Sequence, residues 1–170
     1  MIIRPILLAY QALPAEAYLA PFQEACTGPH SVERFYESFN QRLDWGEVER
    51  WVYDGPDYRT RANPWPEIYA YLYLLLKPEE RALVVLVDWQ ESIANGWGGN
   101  PIALVGQYAG SRLLSMKAGP NADPTPLVDD WIAIGLLCHE LGHVLGFGHS
   151  DPAVQRDIMN VGLYDYPNNC

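Results

Sequence analysis

Cysteine is scarce. Three occur in 170 residues, at Cys26, Cys138 and Cys170, too few for a disulfide framework. Cys138 falls in a helical stretch and reads as a small buried hydrophobe, and a Cys26–Cys170 pair stays open. Positive charge is also scarce. Eleven Lys and Arg against 21 Asp and Glu give a formal net charge of −10. An acidic surface repels phosphate backbones and anionic lipid, which argues against nucleic acid and membrane as partners. No apolar run approaches the ~20 residues that span a bilayer. The chain has no Gly-x-Ser-x-Gly elbow and no CxxC pair, and glycine-rich Asn95 to Asn100 lacks the Lys-Ser/Thr ending of a phosphate loop. The first residues read as a strand in preference to a signal peptide, because Pro5 and Gln11 break a short apolar stretch.

What is present is a globular composition, 49% hydrophobic and 19% charged, long enough for one domain over residues 1–170 with a real core. Ile2 to Ala9 reads as a strand. Ser31 to Leu43 reads as a helix with Ser31 as N-cap, its apolar residues Val32, Phe35, Tyr36, Phe39 and Leu43 falling at helical spacing. Val48 to Tyr53 reads as a strand, Pro66 to Lys77 as a helix stopped by Pro78, with its Tyr and Leu content leaving a strand open, and Arg81 to Asp88 as a strand fully buried at Leu83 to Val87. Asn95 to Pro101 reads as a loop, followed by short strands near Ile102 to Tyr108 and Arg112 to Lys117. Pro126 to Leu145 reads as a long helix that Thr125-Pro126 starts and Asp129 and Asp130 favour through the helix dipole. The remainder is short and irregular.

The long helix ends in His139-Glu-Leu-Gly-His-Val-Leu-Gly-Phe-Gly-His149. His139 and His143, four apart, project from one helix face and can grip one metal ion. Glu140 is turned about a quarter turn away, beside the ion, where a base for a water should stand. Gly146 can take the left-handed conformation that ends a helix, letting the chain turn and His149 return to the metal. Three nitrogen ligands leave a fourth position open, the catalytic arrangement, and they favour zinc. Gly142 costs about 1 kcal/mol of helix stability relative to Ala, which points to another backbone passing close by.

His139 to His149 resembles the extended zinc signature of the metzincin clan of metallopeptidases. Ten residues after His149 comes Met159, in Asp157-Ile-Met-Asn160, which resembles that clan's Met-turn. Ser150 and the short His149–Met159 spacing resemble matrixins. No Pro-Arg-Cys-Gly pro-segment is present, so the matrixin cysteine switch is missing, and Val161 stands where astacins and serralysins carry a tyrosine ligand.

The resemblance implies an α+β fold. It has a twisted, mostly parallel sheet with an antiparallel edge strand, an N-terminal helix and a long zinc-binding helix. An upper subdomain of about residues 1–146 precedes a small irregular lower one, about 147–170. It also implies a zinc-dependent endopeptidase with Glu140 as general base and acid. A peptide or protein substrate would lie as an extended strand along a sheet edge taken as Gly99 to Val105, with Gly99, Asn100, Ile102, Ala103 and Leu104 as contacts and Trp97 and Gly98 on the rim. Val161, Leu163 and Tyr164 would line the pocket on the other side of the cut. Some relatives bind calcium. Asp88, Asp123, Asp129 and Asp130 would have to supply it, but isolated aspartates are usually solvated or capping, and the sequence supports zinc alone. Latency would come from self-association or a protein inhibitor. The clan works mostly outside cells, whereas these first residues carry no export signal, so the compartment stays open.

Two other readings compete. One is a catalytically silent zinc-bearing module that only holds peptides, against which stands the intact Glu140. The other is a peptide deformylase, which shares His-Glu-x-x-His but needs an upstream Glu-Gly-Cys-Leu stretch absent here.

Overall fold

A computed structural model describes residues 1–91, 96–115, 128–149 and 159, the first five residues of the third stretch by backbone alone. The elements are β1 (Ile2–Tyr10), a 3-10 turn (Glu16–Tyr18), α1 (Leu19–Thr27), α2 (Val32–Glu37), β2 (Asp44–Trp45), β3 (Glu49–Tyr53), α3 (Trp65–Tyr73), β4 (Glu80–Leu86), β5 (Gly96–Gly99), β6 (Ile102–Val105), α4 (Gln107–Ser115) and α5 (Val128–Val144).

The six strands form one sheet. β1 lies parallel to β4 on one side and to β2 and then β3 on the other, and β4 lies parallel to β6. β5 pairs antiparallel with β6 and closes that side, Gly96 opposite Val105 and Gly99 opposite Ile102. This is a mixed fold with a mostly parallel sheet and an antiparallel edge.

Strands buried on both faces need apolar residues at every position, and β1, β4 and β6 have them. Ile3, Leu7, Leu83, Val85, Ala103 and Val105 pack against α1, α2, α4 and α5, with Phe22, Tyr36, Leu113 and Leu137 filling that layer. The alternate residues Ile6, Leu8, Val84, Leu86, Ile102 and Leu104 pack on the other face against Ile68 and Leu72 of α3 and the rings of Tyr53, Tyr58 and Trp89. No described helix is long and apolar enough to cross a membrane.

Several elements depart from expectation. The helix expected over Ser31 to Leu43 stops at Glu37. Ser31 does cap it, accepting from the Arg34 N–H at 3.3 Å. Asn40 then turns the chain with φ 60°, which leaves Phe39 exposed and buries Leu43 after the turn. α1 has no counterpart in the sequence reading. Of the strand expected near Arg112 to Lys117, residues 116–117 lie outside the described residues and 112–115 belong to α4 instead. Ala109 and Leu113, four apart, bury its inner face, and the Glu91 carboxylate accepts the Tyr108 N–H at 2.9 Å near its start. Asn95 to Pro101, read as a loop, contains β5.

Cys26 and Cys138 are buried thiols in the helical layer, where burial pushes both well above their ordinary pKa. Cys170, whose pairing with Cys26 the sequence leaves open, lies outside the described residues.

Candidate metal centre

α5 carries the first two histidines out of the core layer. Its residues 133, 134, 136, 137, 138 and 141 are buried, so the helix is held along its inner side and its last turn presents His139 and His143. A second tether comes from α2, whose Tyr36 hydroxyl donates to the Cys138 carbonyl at 2.6 Å, one residue before His139.

The helix ends as the glycine spacing predicts. Gly146 takes φ 95°, its N–H bonds the His143 carbonyl at 3.1 Å, and the Phe147 N–H bonds the Gly142 carbonyl at 2.9 Å. This pair of bonds is a Schellman motif, which satisfies carbonyls the helix end would leave bare. It also brings the Phe147 carbonyl within 2.9 Å of His143 Nδ1. The ring N–H donates there, which fixes the tautomer and leaves Nε2 as the free lone pair, the outer support metal-bound imidazoles ordinarily have. Sequence reasoning missed this role of Phe147 because a backbone carbonyl has no side-chain signature.

His149 returns beside them. His143 Nε2 and His149 Nε2 stand 3.1 Å apart, and one nitrogen from each of the three rings lies within 4.8 Å of the others. Zinc–nitrogen bonds of ~2.0–2.1 Å at tetrahedral angles separate two donors by roughly 3.3–3.4 Å, so the spacing of these two suits a shared ion. His139, His143 and His149 can hold a zinc ion. They are the one cluster of three or more metal-binding side chains among the described residues. Of the aspartates weighed for calcium, Asp88 is engaged by the Tyr58 hydroxyl at 2.6 Å and the Tyr10 N–H at 2.9 Å.

Glu140 is 3% exposed, and its burial raises the carboxyl pKa to about 8. β5 lies directly on it. A Cβ at Gly96 would stand 2.6 Å from Glu140 Oε1, and one at Gly98 would stand 2.5 Å from the Glu140 carbonyl oxygen and 2.7 Å from His143 Cβ. Side chains at these two positions would therefore hold the strand off the helix. A Cβ at Gly142 would run into the Met159 thioether and would stand 3.2 Å from the Tyr36 hydroxyl. The neighbour that Gly142 makes room for is thus a side chain, not the backbone expected. Met159 itself is buried there.

The expected substrate contacts divide. Gly99 and Asn100 lie at the end of β5, the outer strand among the described residues. Ile102, Ala103 and Leu104 do not form an edge: they lie in β6, wholly buried and paired with β4 on one side and β5 on the other, so no backbone groups there are free for a peptide. The edge lies one strand further out, at Gly96–Gly99. Ser150, Val161, Leu163, Tyr164 and Tyr166 lie outside the described residues.

No protein-family profile and no curated protein matches the sequence. Among solved structures the chain is similar in fold to an archaemetzincin from Methanopyrus kandleri, with a TM-score of 0.54 and 14% identity, over 92% of this chain and 80% of that one. The likeness is one of fold, consistent with a metzincin-like architecture, and this chain carries its histidine triad on that fold.

Proposed function

We propose that this chain is a zinc-dependent endopeptidase of the metzincin type, with His139, His143 and His149 holding the ion and Glu140 as general base and acid. The observation that carries the reading is the convergence of three imidazoles beside a buried carboxylate on the helix under β5, the outer strand among the described residues. A zinc ion held by His139, His143 and His149 would supply Lewis acidity toward the scissile carbonyl and the attacking water. Glu140 takes that water's proton and passes it to the leaving amine. A carboxyl whose pKa burial raises toward neutrality suits both halves of that task.

The substrate lies along the outer edge of β5 as an added strand, bonded through backbone groups. Gly96 and Gly98 keep that strand against Glu140 and His143, so an added peptide runs close to the reacting groups. Met159, packed at Gly142, is the counterpart of the Met-turn methionine, filling the gap with a pliable thioether. A matrixin-like subtype rests on Ser150 and the His149–Met159 spacing.

A quenched peptide library and unfolded casein, incubated with zinc-loaded protein and with chelated protein, test the reading. Internal cuts mapped by mass spectrometry, abolished by chelator and restored by zinc, support it. Peptide binding with no cleavage under any loading would put the silent peptide-holding module in its place.

A further inference from the structure

A concavity of about 430 Å³ opens where β5 ends. Asn100 and Pro101 form one wall, Tyr69, Tyr73 and Lys77 another, and Arg81 stands at the start of β4. An aromatic strip leads into it. Trp65 lies 3.5 Å from the Cβ position of Gly99, and the rings of Trp65, Tyr69 and Tyr73 follow along α3 at centroid separations of 5.2 and 5.3 Å. The strip therefore begins beside the strand that would pair with a substrate and ends in the pocket.

The charged residues among the described ones lining the pocket are both cations, Lys77 and Arg81. The Lys77 side chain is 71% exposed and pairs with Glu80 Oε1 at 3.9 Å, the outer limit of an ion pair, while Arg4 and the Lys77 N–H also bind that carboxylate. Arg81 Nη1 donates to the Pro78 and Glu80 carbonyls at 2.9 and 2.7 Å, which fixes the guanidinium without cancelling its charge. On a chain of net charge −10, such a patch selects anions from a surface that otherwise repels them. An extended peptide advances ~3.3 Å per residue, so residues about two to four positions from the one facing Gly98 reach this mouth.

We propose that the pocket is a specificity site for an acidic flank of the peptide substrate, its carboxylates held by Lys77 and Arg81 and its stems lying on the tyrosine rings. The inference rests on the peptidase reading and locates one selective contact for it.

The test uses peptides of one core sequence carrying Asp-Asp or Asn-Asn at either flank. They are assayed with zinc-loaded wild type and with the Lys77→Gln/Arg81→Gln variant, each first checked for a cooperative melt. The expected result is a kcat/KM about three- to tenfold higher for Asp-Asp at one flank only. That ratio falls to about one in the variant and shrinks as salt rises. A ratio near one in wild type that cleaves the Asn-Asn peptide, or a ratio that survives in the variant, overturns the proposal and leaves the peptidase reading standing. If neither peptide is cut, the peptidase reading has failed. Fluorescence anisotropy of the same labelled peptides then decides the pocket: tighter Asp-Asp binding lost in the variant supports it, and equal binding refutes it. Should the double variant not fold, Lys77→Glu, at an exposed side chain, must lower the ratio on its own.

Discussion

Gly98 and Gly146 are both glycines near the centre, for opposite reasons. Gly146 has open space around it and a φ of 95°, so a side chain there costs only backbone strain. Gly146→Ala is expected to lower the stability of metal-free protein by about 1–2 kcal/mol, and Gly146→Asn by less, as read by chemical denaturation. Gly98 has no room, because a Cβ would press on the Glu140 carbonyl and His143 Cβ, neither a flexible chain end. Gly98→Ala is expected to cost about 1–3 kcal/mol and to weaken zinc binding at least about tenfold, measured by competition with a chromophoric chelator. Wild-type affinity in Gly98→Ala would mean the strand is seated elsewhere. Gly146 was legible in the sequence because its reason is local, a helix stop three residues after His143. Gly96 and Gly98 looked like loop residues because theirs lies on a helix some forty residues later.

At the scale of elements, three strands are tied by one cluster. Arg4 of β1 pairs with Glu49 of β3 at 2.8 Å and with Glu80 of β4 at 3.2 Å. The Arg4 hydrogen bonds hold the Glu49 carboxyl below its ordinary value of 4.5. Glu80 is lowered chiefly by accepting the Lys77 N–H, with Arg4 adding to it. Depressed carboxylates stabilise the fold fully above their ordinary value and lose that contribution as pH falls through the depressed one. Arg4→Met is therefore expected to cost about 1–2 kcal/mol at pH 7, and the gap from wild type should narrow as denaturation is repeated below pH 4.5. A gap independent of pH would assign Arg4 a packing role only. The central strands were legible because burial on both faces demands unbroken apolar runs such as Leu83 to Val87. α1 and α4 were not: each is nine residues long, too short for a helical period to stand out from the sequence around it. The helix at Ser31 ran too long on paper because Phe39 fits its period, yet the turn at Asn40 leaves that ring in solvent.

For the molecule as a whole, both packed layers of the sheet are built without the metal centre. Chelation should thus leave a folded protein with a cooperative melt. Zinc at about 100 times its dissociation constant should then add about 2.7 kcal/mol, which for a chain of this size raises Tm by roughly 5–10 °C. The reading that joins fold, triad and carboxylate is tested most directly by measuring zinc content and casein cleavage together, on wild type and Glu140→Ala. The expected result is one zinc per chain in both proteins and cleavage in wild type alone, with the variant at least about a hundredfold slower. Wild type that takes up no zinc after reconstitution, or a Glu140→Ala variant that cleaves as fast as wild type, would contradict the account.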